Sequence, residues 1–433
     1  MNPPETIAVI GLWHLGSVLA ACWAELGYLV IGLDGSQAVV DGLRSARAPI
    51  FEPGLDELVR KSVIKECLTF TTEFREAVPR SDFVFIAFDT PVDANDRLEL
   101  ESVEHAVRAS IPYLKEGAIV IVSSQVPVGT CARWRREIRE LHRRSDVDVV
   151  YSPENLRLGE ALDCYLHPDR IVVGADDPAA RQSVADLFAP MDAPVIAMSL
   201  MSAEMAKHAL NSFLAASVSF INEIATLCEL TGADVLSVVE ALKTDPRIGR
   251  RAFLSPGFGF AGGTLARDVQ ILKDIGRAGG LETPFLDSVI EVNRQRPGIV
   301  LRRLANLYGK LDGLGVGALG LTYKAGTSTL RRSVALEVIG SLVAAGVKVK
   351  AFDPKADLSE LDGSPTFEAV GDAYEAARAA SALVILTEWP EFARLDFDRI
   401  KAVMANPVIF DGKNLLVGLR LTDRGFTYMG VGR

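Results

Sequence analysis

Short apolar runs alternate with longer stretches of helical periodicity through the first 200 residues. The apolar runs are rich in branched and aromatic side chains and lie at residues 7–10, 29–33, 83–88, 118–122, 147–151 and 171–173. Strands that are separated by helix-length segments are usually joined by crossovers, which is the arrangement of parallel βαβ units. The pattern therefore predicts a doubly wound parallel sheet in this part of the chain.

The pattern changes between about residues 202 and 307, where helical periodicity continues without strand-like runs. Apolar runs return at residues 316–321, 347–352, 382–386 and 408–410. We therefore predict an α/β chain with two Rossmann-like doubly wound domains, joined by a helical middle domain with a long connecting helix. The predicted boundaries are 1–200, 201–308 and 309–433.

Charge and cysteine content restrict the possible partners. The 433 residues include 46 Lys and Arg against 56 Asp and Glu, so the formal net charge is -10. Nucleic-acid-binding proteins concentrate basic residues on one face, and the acidic balance argues against that class. The five cysteines show no CxxC spacing, so neither a metal site nor a disulfide framework is indicated. Neither a basic N-terminal region nor an apolar stretch of membrane-spanning length is evident, and we expect a cytoplasmic protein without membrane contact.

A turn and an acidic residue follow the first two predicted strands in the order of a dinucleotide-binding fingerprint. The turn consists of Gly11, Leu12, Trp13, His14, Leu15 and Gly16, and the second strand ends at Asp34. We expect the turn to bind NAD and Asp34 to bind the ribose hydroxyls, which would disfavour the 2′-phosphate of NADP. Trp13 stands where the fingerprint has its second glycine, and an indole there must turn away from the cofactor or obstruct it. A strand–helix turn that binds NAD poorly is the alternative.

Three polar residues share one face of the long predicted helix. Glu204, Lys207 and Asn211 are spaced i, i+3 and i+7, and their neighbours are mostly apolar. A lysine in apolar surroundings requires a reason, and a functional site supplies one. The alternative is a solvated helix face.

Eight sequence blocks resemble those of the nucleotide-sugar 6-dehydrogenases, which act on UDP-glucose, GDP-mannose and UDP-N-acetyl-hexosamines. The blocks occur in the family's order at 52–55, 90–91, 126–130, 152–154, 168–172, 220–223, 245–249 and 256–268. The resemblance implies an N-terminal NAD domain, a helical dimerisation core and a C-terminal domain that holds the nucleotide. It therefore implies NAD as cofactor, a nucleotide sugar as substrate, with a UDP-sugar favoured, and a homodimer formed through the middle domain.

The resemblance also assigns roles to individual residues. The implied catalytic set is Glu154 as general acid or base, Lys207 and Asn211 at the reacting carbon, Thr264 in the nucleophile's position, and Asp268. Further cofactor contacts are implied for Thr90, Pro91, Gln125, Arg267 and Arg331. Substrate contacts are implied for Asn155, Leu156, Arg247, Phe258, Gly259, Phe260, Gly263, Tyr323 and Lys324, with Arg247 reaching the substrate of the neighbouring subunit.

The family's nucleophile is a cysteine, and this chain has Thr264 in its place. A thiol ionises near neutral pH, whereas an aliphatic hydroxyl needs an adjacent base to attack a carbonyl. We therefore expect an oxidation that stops after two electrons. Two alternatives stay open: a four-electron dehydrogenase that uses a water held by Asp268, and a non-catalytic homologue that binds the nucleotide. A hydroxyacid or 6-phosphogluconate dehydrogenase shares the domain order but leaves the second α/β domain unexplained.

Overall fold

The structure is a computed structural model that describes residues 5–90, 98–154, 156–261, 263–361 and 363–433. The chain divides into two compact units, residues 1–209 and 210–433. Each unit contains one parallel or mostly parallel sheet with its own buried core.

An eight-stranded sheet organises the described part of the N-terminal unit, in the order β3-β2-β1-β4-β5-β6-β7-β8. All neighbours pair in parallel except β6 and β7, which meet in an antiparallel contact. The strands are β1 (Thr6–Ile10), β2 (Leu29–Leu33), β3 (Leu68–Thr71), β4 (Phe83–Ile86), β5 (Ile119–Val122), β6 (Asp148–Tyr151), β7 (Ile171–Gly174) and β8 (Val195–Met198). The helices are α1 (His14–Glu25), α2 (Gln37–Arg44), α3 (Leu55–Ile64), α4 (Phe74–Ala77), α5 (Glu101–Ser110), α6 (Thr130–Glu140), α7 (Ala161–Leu166), α8 (Pro178–Leu187) and the start of α9 (Leu200–Thr231).

The C-terminal unit begins with helices and continues with a six-stranded parallel sheet of order β11-β10-β9-β12-β13-β14 in the described residues. After the rest of α9 come the helices α10 (Val235–Thr244), α11 (Thr264–Ala278), α12 (Pro284–Gln295) and α13 (Gly298–Tyr308). The sheet and its helices are β9 (Gly315–Leu319), α14 (Val334–Ala344), β10 (Lys348–Phe352), β11 (Glu368–Ala369), α15 (Ala373–Ala377), β12 (Ala382–Ile385), α16 (Phe397–Val403), β13 (Val408–Asp411) and β14 (Thr427–Gly430).

The α/β fold class with two Rossmann-like sheets and an intervening helical region is confirmed. Sequence reasoning missed β3, β8, β11 and β14, which are short and all lie at sheet edges. The three-part division of the chain stays a prediction, because the structure separates two compact units and places α10–α13 in the second.

The expectation that no apolar stretch reaches membrane-spanning length was wrong for α9. Among the described helices, α9 alone has 32 residues together with an 18-residue window of mean hydropathy 1.4. Glu204 near the start of this helix is fully buried within the N-terminal unit. A long apolar helix is also what a protein core or a subunit interface requires, and the fold uses the start of α9 as a core element.

In each unit, the first two strands along the chain, β1 and β2 or β9 and β10, are followed by a glycine and an aspartate in equivalent positions. In the C-terminal unit, Gly320 follows β9 with a φ of +96°, and its N–H donates to the carbonyl of Phe352 at 2.8 Å. The Asp353 carboxylate accepts hydrogen bonds from the N–H groups of Leu321 and Thr322 at 2.7 and 3.0 Å. It also accepts from the Trp389 indole at 3.0 Å, from the hydroxyl of Thr322, and from two backbone N–H groups just beyond β10. The corresponding residues in the N-terminal unit are Gly11, after β1, and Asp34, after β2.

Candidate active site

The glycines of the first strand–helix turn are required by its geometry. Gly11 has a φ of +90°, which disfavours any other residue, and its N–H donates to the Leu33 carbonyl at 2.9 Å. A Cβ atom on Gly16 would lie 1.7 Å from the carbonyl oxygen of Gly11, so α1 packs against the strand too closely for any side chain there. These are the requirements for the first and third glycines of a dinucleotide-binding turn. The turn therefore fits NAD at these two positions.

Asp34 is placed to bind a ribose. Its Oδ2 accepts from the N–H of Leu12 and its Oδ1 from the N–H of Ser36, each at 2.8 Å. The residue is half-buried, and each carboxylate oxygen has a second lone pair. The ribose hydroxyls could therefore donate to a carboxylate whose orientation is already fixed.

Trp13 and His14 differ sharply in their surroundings. The Trp13 side chain is 49% exposed, whereas His14 is buried. Nε2 of His14 lies 2.8 Å from Oε2 of Glu52, which also accepts the N–H of Gly159 at 2.8 Å, while Oε1 accepts the N–H of Ala161 at 2.9 Å. Burial acts to raise the pKa of Glu52, but the hydrogen bonds from His14 and the two N–H groups outweigh it, and the pKa is lowered. The His14 ring thus contacts a buried structural carboxylate.

A second carboxylate lies at the N-terminus of α1. The N–H of Leu15 donates to Oδ2 of Asp89 at 2.9 Å. Thr90 and Gln125, both expected to contact the cofactor, are buried. Pro91, expected in the same role, lies outside the described residues.

Lys207 and Glu154 come together in the N-terminal unit. Glu154 follows β6 by three residues, and its backbone carbonyl accepts a hydrogen bond from Nζ of the buried Lys207. Its carboxylate accepts from the N–H of Leu156, which was expected to contact substrate. Asn155 lies outside the described residues. The Lys207 ammonium is therefore held by the backbone of the segment that carries the proposed general acid or base.

Glu204 has a structural environment of its own. Its carboxylate accepts from the N–H groups of Gly129 and Cys131 at the start of α6, the latter at 2.8 Å, and the side chain is fully buried. Burial raises the pKa of Glu204, although both N–H groups act to lower it. The spacing correctly identified a polar helix face, but the carboxylate caps a neighbouring helix.

The start of α11 carries the residues expected to be closest to the chemistry. Thr264 is the first residue of α11 and is exposed, with Gly263 before it. Asp268 is one turn further along and fully buried, and its Oδ2 accepts a hydrogen bond from the Asn211 amide. Arg267 is also buried, with its Nε 4.0 Å from Oδ1 of Asp268. The C-terminal unit thus brings Asn211 and Asp268 together, with Thr264 on the same helix as Asp268.

The loop before α11 has a fixed backbone. Phe258 is 1% exposed and its ring centroid lies 6.2 Å from that of Phe410, so its side chain is a core residue rather than an exposed contact. Gly259 has a φ of +92°, and a Cβ there would approach the Asn293 amide oxygen to 2.2 Å. That amide pairs with the backbone of Phe260, accepting from its N–H at 2.7 Å and donating to its carbonyl at 3.1 Å.

Arg296, which directly follows α12, is a buried residue that contacts this loop and that sequence reasoning missed. Its guanidinium donates to the carbonyl of Gly257 from Nη2 at 2.8 Å and from Nε at 3.1 Å, and Nη1 donates to the Thr226 hydroxyl at 3.0 Å. The N–H of Gly257 donates to the Asn222 amide oxygen at 2.8 Å. Burial lowers the pKa of Arg296 to about 10. In the sequence, the neighbouring Pro297 indicates a helix boundary, but nothing there indicates that Arg296 contacts Gly257.

The remaining expected substrate and cofactor residues lie on loops of the C-terminal unit. Arg247 is paired with the Asp245 carboxylate at 2.7 and 3.0 Å, and its side chain is 87% exposed. Tyr323 and Lys324 are half-buried after β9, and Arg331 is exposed further along the same loop. The Glu360 carboxylate fixes that loop by accepting from the N–H of Leu330 at 2.8 Å.

Comparison with known proteins gives three successive matches to one family. Residues 5–192 match the NAD binding domain of the UDP-glucose/GDP-mannose dehydrogenase family. Residues 201–295 match its central domain, and residues 317–418 match its UDP binding domain.

Individual relatives match over nearly the whole length. The chain is 36% identical to the UDP-glucose 6-dehydrogenase TuaD of Bacillus subtilis, over 99% of this chain and 93% of that one. It is also 36% identical to the UDP-glucose 6-dehydrogenase of Rhizobium meliloti, over 99% of each. The structure of a UDP-glucose dehydrogenase from Pyrobaculum islandicum superposes with a TM-score of 0.90 at 32% identity, covering 100% of this chain and 98% of that one. The chain therefore belongs to the UDP-glucose/GDP-mannose dehydrogenase family of NAD-dependent enzymes.

Proposed function

We propose that the chain oxidises the C6 hydroxyl of a UDP-sugar by two electrons and releases the carbonyl product. The observation that carries the proposal is Thr264, an exposed hydroxyl at the first position of α11 where the resembled family has a thiol. The UDP-sugar preference rests on the match to a UDP binding domain and on the UDP-glucose 6-dehydrogenases among the relatives.

The reaction removes a hydride from C6 and a proton from the hydroxyl oxygen, and the alcohol becomes an aldehyde. NAD, when bound, accepts the hydride and is reduced to NADH. We assign Lys207 and Asn211 to the stabilisation of negative charge as it develops on the oxygen, and Glu154 to the proton transfer. Two contacts support these roles, because Lys207 is oriented by the Glu154 carbonyl and the Asn211 amide by the Asp268 carboxylate.

Further oxidation requires a nucleophile that adds to the aldehyde. Thr264 is a poor one, since its hydroxyl stays protonated at neutral pH unless a base lies beside it. Asp268, the buried carboxylate nearest in sequence, accepts the Asn211 amide hydrogen, and we assign it to the orientation of that amide rather than to deprotonation of Thr264. The first oxidation product is therefore released.

Two other functions have supporting observations. A four-electron oxidation needs a water in place of the thiol, and the buried Asp268 is the group that would hold it. A non-catalytic nucleotide-binding homologue is favoured by Trp13 in the cofactor turn. The oriented Lys207 and Asn211 oppose it, since binding alone has no need of them.

We also propose a cytoplasmic homodimer that forms through α9. Phe213, Phe220 and Leu227 are spaced seven residues apart on this helix and are 70%, 52% and 52% exposed. Apolar side chains in a row along one helix face are typical of an interface.

The first prediction concerns stoichiometry. Purified protein with UDP-glucose and NAD should give one NADH per sugar and a carbonyl product, measured by absorbance and mass spectrometry. Thr264→Ala should lower kcat by less than about tenfold, whereas Lys207→Ala should lower it by about 100-fold or more, since it removes charge stabilisation. Thr264→Cys tests whether a thiol is enough to restore the second oxidation.

Two NADH and an acid product from the wild-type protein would contradict the two-electron proposal. Ligand binding without NADH formation from any nucleotide sugar would favour the non-catalytic alternative.

A further inference from the structure

The N-terminus of α1 already holds a negative group. Its first turn points N–H groups out of the helix, and the N–H of Leu15 donates to Oδ2 of Asp89 at 2.9 Å. Asp89 lies three residues beyond β4, the strand that pairs with β1 on the side opposite β2. The carboxylate therefore lies at the edge of the sheet where the dinucleotide turn begins.

This position matters because the pyrophosphate of a dinucleotide binds at the same place. Backbone N–H groups and the helix dipole make the N-terminus of the helix after the first strand an anion site. In dinucleotide-binding domains the pyrophosphate occupies it. One N–H cannot donate in full to both the carboxylate and a phosphate oxygen, and the negative charges repel one another at this distance.

The segment that carries Asp89 is anchored to the turn. The N–H of Ala87 donates to the Ile10 carbonyl at 2.8 Å, and the N–H of Phe88 donates to the Ser124 hydroxyl at 2.7 Å. The Phe88 ring lies 2.9 Å from where a Cβ on Gly11 would be. The backbone thus presents Asp89, an exposed residue, to the start of α1.

We propose that Asp89 occupies the pyrophosphate position of the free protein and competes within the molecule against NAD. NAD then binds only the conformers in which the carboxylate has left the Leu15 N–H, and its affinity is lowered by the fraction of molecules in the competing state. The proposal rests on the NAD cofactor of the family but does not depend on the sugar, on Thr264 or on the number of electrons transferred.

The test is a calorimetric titration of the full chain with NAD and, separately, with adenosine, which has no phosphate. Asp89→Asn keeps the shape of the side chain and removes its charge, and Asp89→Gly removes the side chain. Both variants should bind NAD about tenfold more tightly than the wild type, since an anion at a helix N-terminus is worth on the order of a tenfold change in equilibrium. Their affinity for adenosine should stay within about twofold, because no phosphate is involved.

Asp41→Asn is the matched control. It removes one negative charge from α2 in the same unit without touching α1, and its NAD affinity should equal that of the wild type. Thermal melting without ligand adds a second readout. Asp89→Gly should melt at a lower temperature, because the Leu15 N–H loses its acceptor, although it binds NAD more tightly.

A purely structural Asp89 would give the opposite pairing of results, with a lower melting temperature and weaker NAD binding. Unchanged or weaker NAD binding in Asp89→Asn overturns the proposal. An equal gain in Asp41→Asn also overturns it, because the effect would then be one of net charge. Failure of all these proteins to bind NAD overturns it as well, whereas failure to oxidise a sugar bears only on the proposed reaction.

Discussion

The carboxylate of Glu52 contacts two other segments of the N-terminal unit: the start of α1 through His14, and the start of α7 through the N–H groups of Gly159 and Ala161. A buried acceptor with several donors is costly to weaken, because each donor left without an acceptor retains its desolvation penalty.

Glu52→Gln should therefore lower the free energy of unfolding by about 1 to 3 kcal/mol near neutral pH. The native pKa of Glu52 is lowered, so its contribution is complete above the pKa of the unfolded chain and is lost as the pH falls through the native pKa. Urea unfolding of wild type and variant should thus show a difference that shrinks in acid. Glu160→Gln, at an exposed position, is the control and should have little effect at either pH. A difference that grows in acid would contradict the assignment.

At the scale of elements, the loop before α11 depends on side chains from two other helices. Asn222 of α9 and Asn293 of α12 contact its backbone at Gly257 and Phe260, and Arg296 follows α12 directly. Because Arg296 donates twice to one carbonyl, a shift of α12 must move the loop. We infer that Arg296 is a positioning residue that acts on substrate through the loop.

Arg296→Met should lower stability by about 2 to 3 kcal/mol, since it removes charge-assisted hydrogen bonds in a buried place. It should also lower kcat/KM for the nucleotide sugar while leaving the Kd of NAD unchanged, because the cofactor turn belongs to the other unit. Arg294→Met is the matched control, since Arg294 is exposed and paired only with Glu291 among the contacts described. Activity per folded molecule equal to the wild type would show that Arg296 is structural only.

At the scale of the whole molecule, the exposed row on α9 has a direct consequence for assembly. Phe220→Asp should convert a dimer into a monomer, because it places a charge in the centre of a row of apolar side chains. Light scattering after size exclusion measures the mass. Ile64→Asp, which changes an exposed apolar residue of α3 in the other unit, should leave the dimer intact. A monomeric wild type, or a dimeric Phe220→Asp, would contradict the prediction.

The sequence was sufficient for the parts of the molecule that local pattern determines. Apolar runs located the central strands of both sheets, and the fingerprint pattern placed Gly11 in the turn after the first strand and Asp34 at the end of the second. Sequence reasoning did not find the contacts of Asp89 with α1 or of Arg296 with Gly257, which join residues 74 and 39 positions apart. The partner of a polar side chain depends on how elements pack, and no local periodicity records it. Phe258 is the converse case. The loop motif implied a substrate contact, whereas the structure places the ring in the core.

The two sheets use one architectural scheme with opposite chemical outcomes. Asp353, the acidic residue after β10, already accepts hydrogen bonds from the Trp389 indole, from Thr322 and from the neighbouring backbone. A ligand hydroxyl would have to displace one of these internal donors. The exchange gains little free energy, because the hydroxyl gives up its hydrogen bonds to water and the displaced donor loses its acceptor. The C-terminal sheet therefore shares the topology of a dinucleotide domain, while its acidic residue is not available to a second dinucleotide.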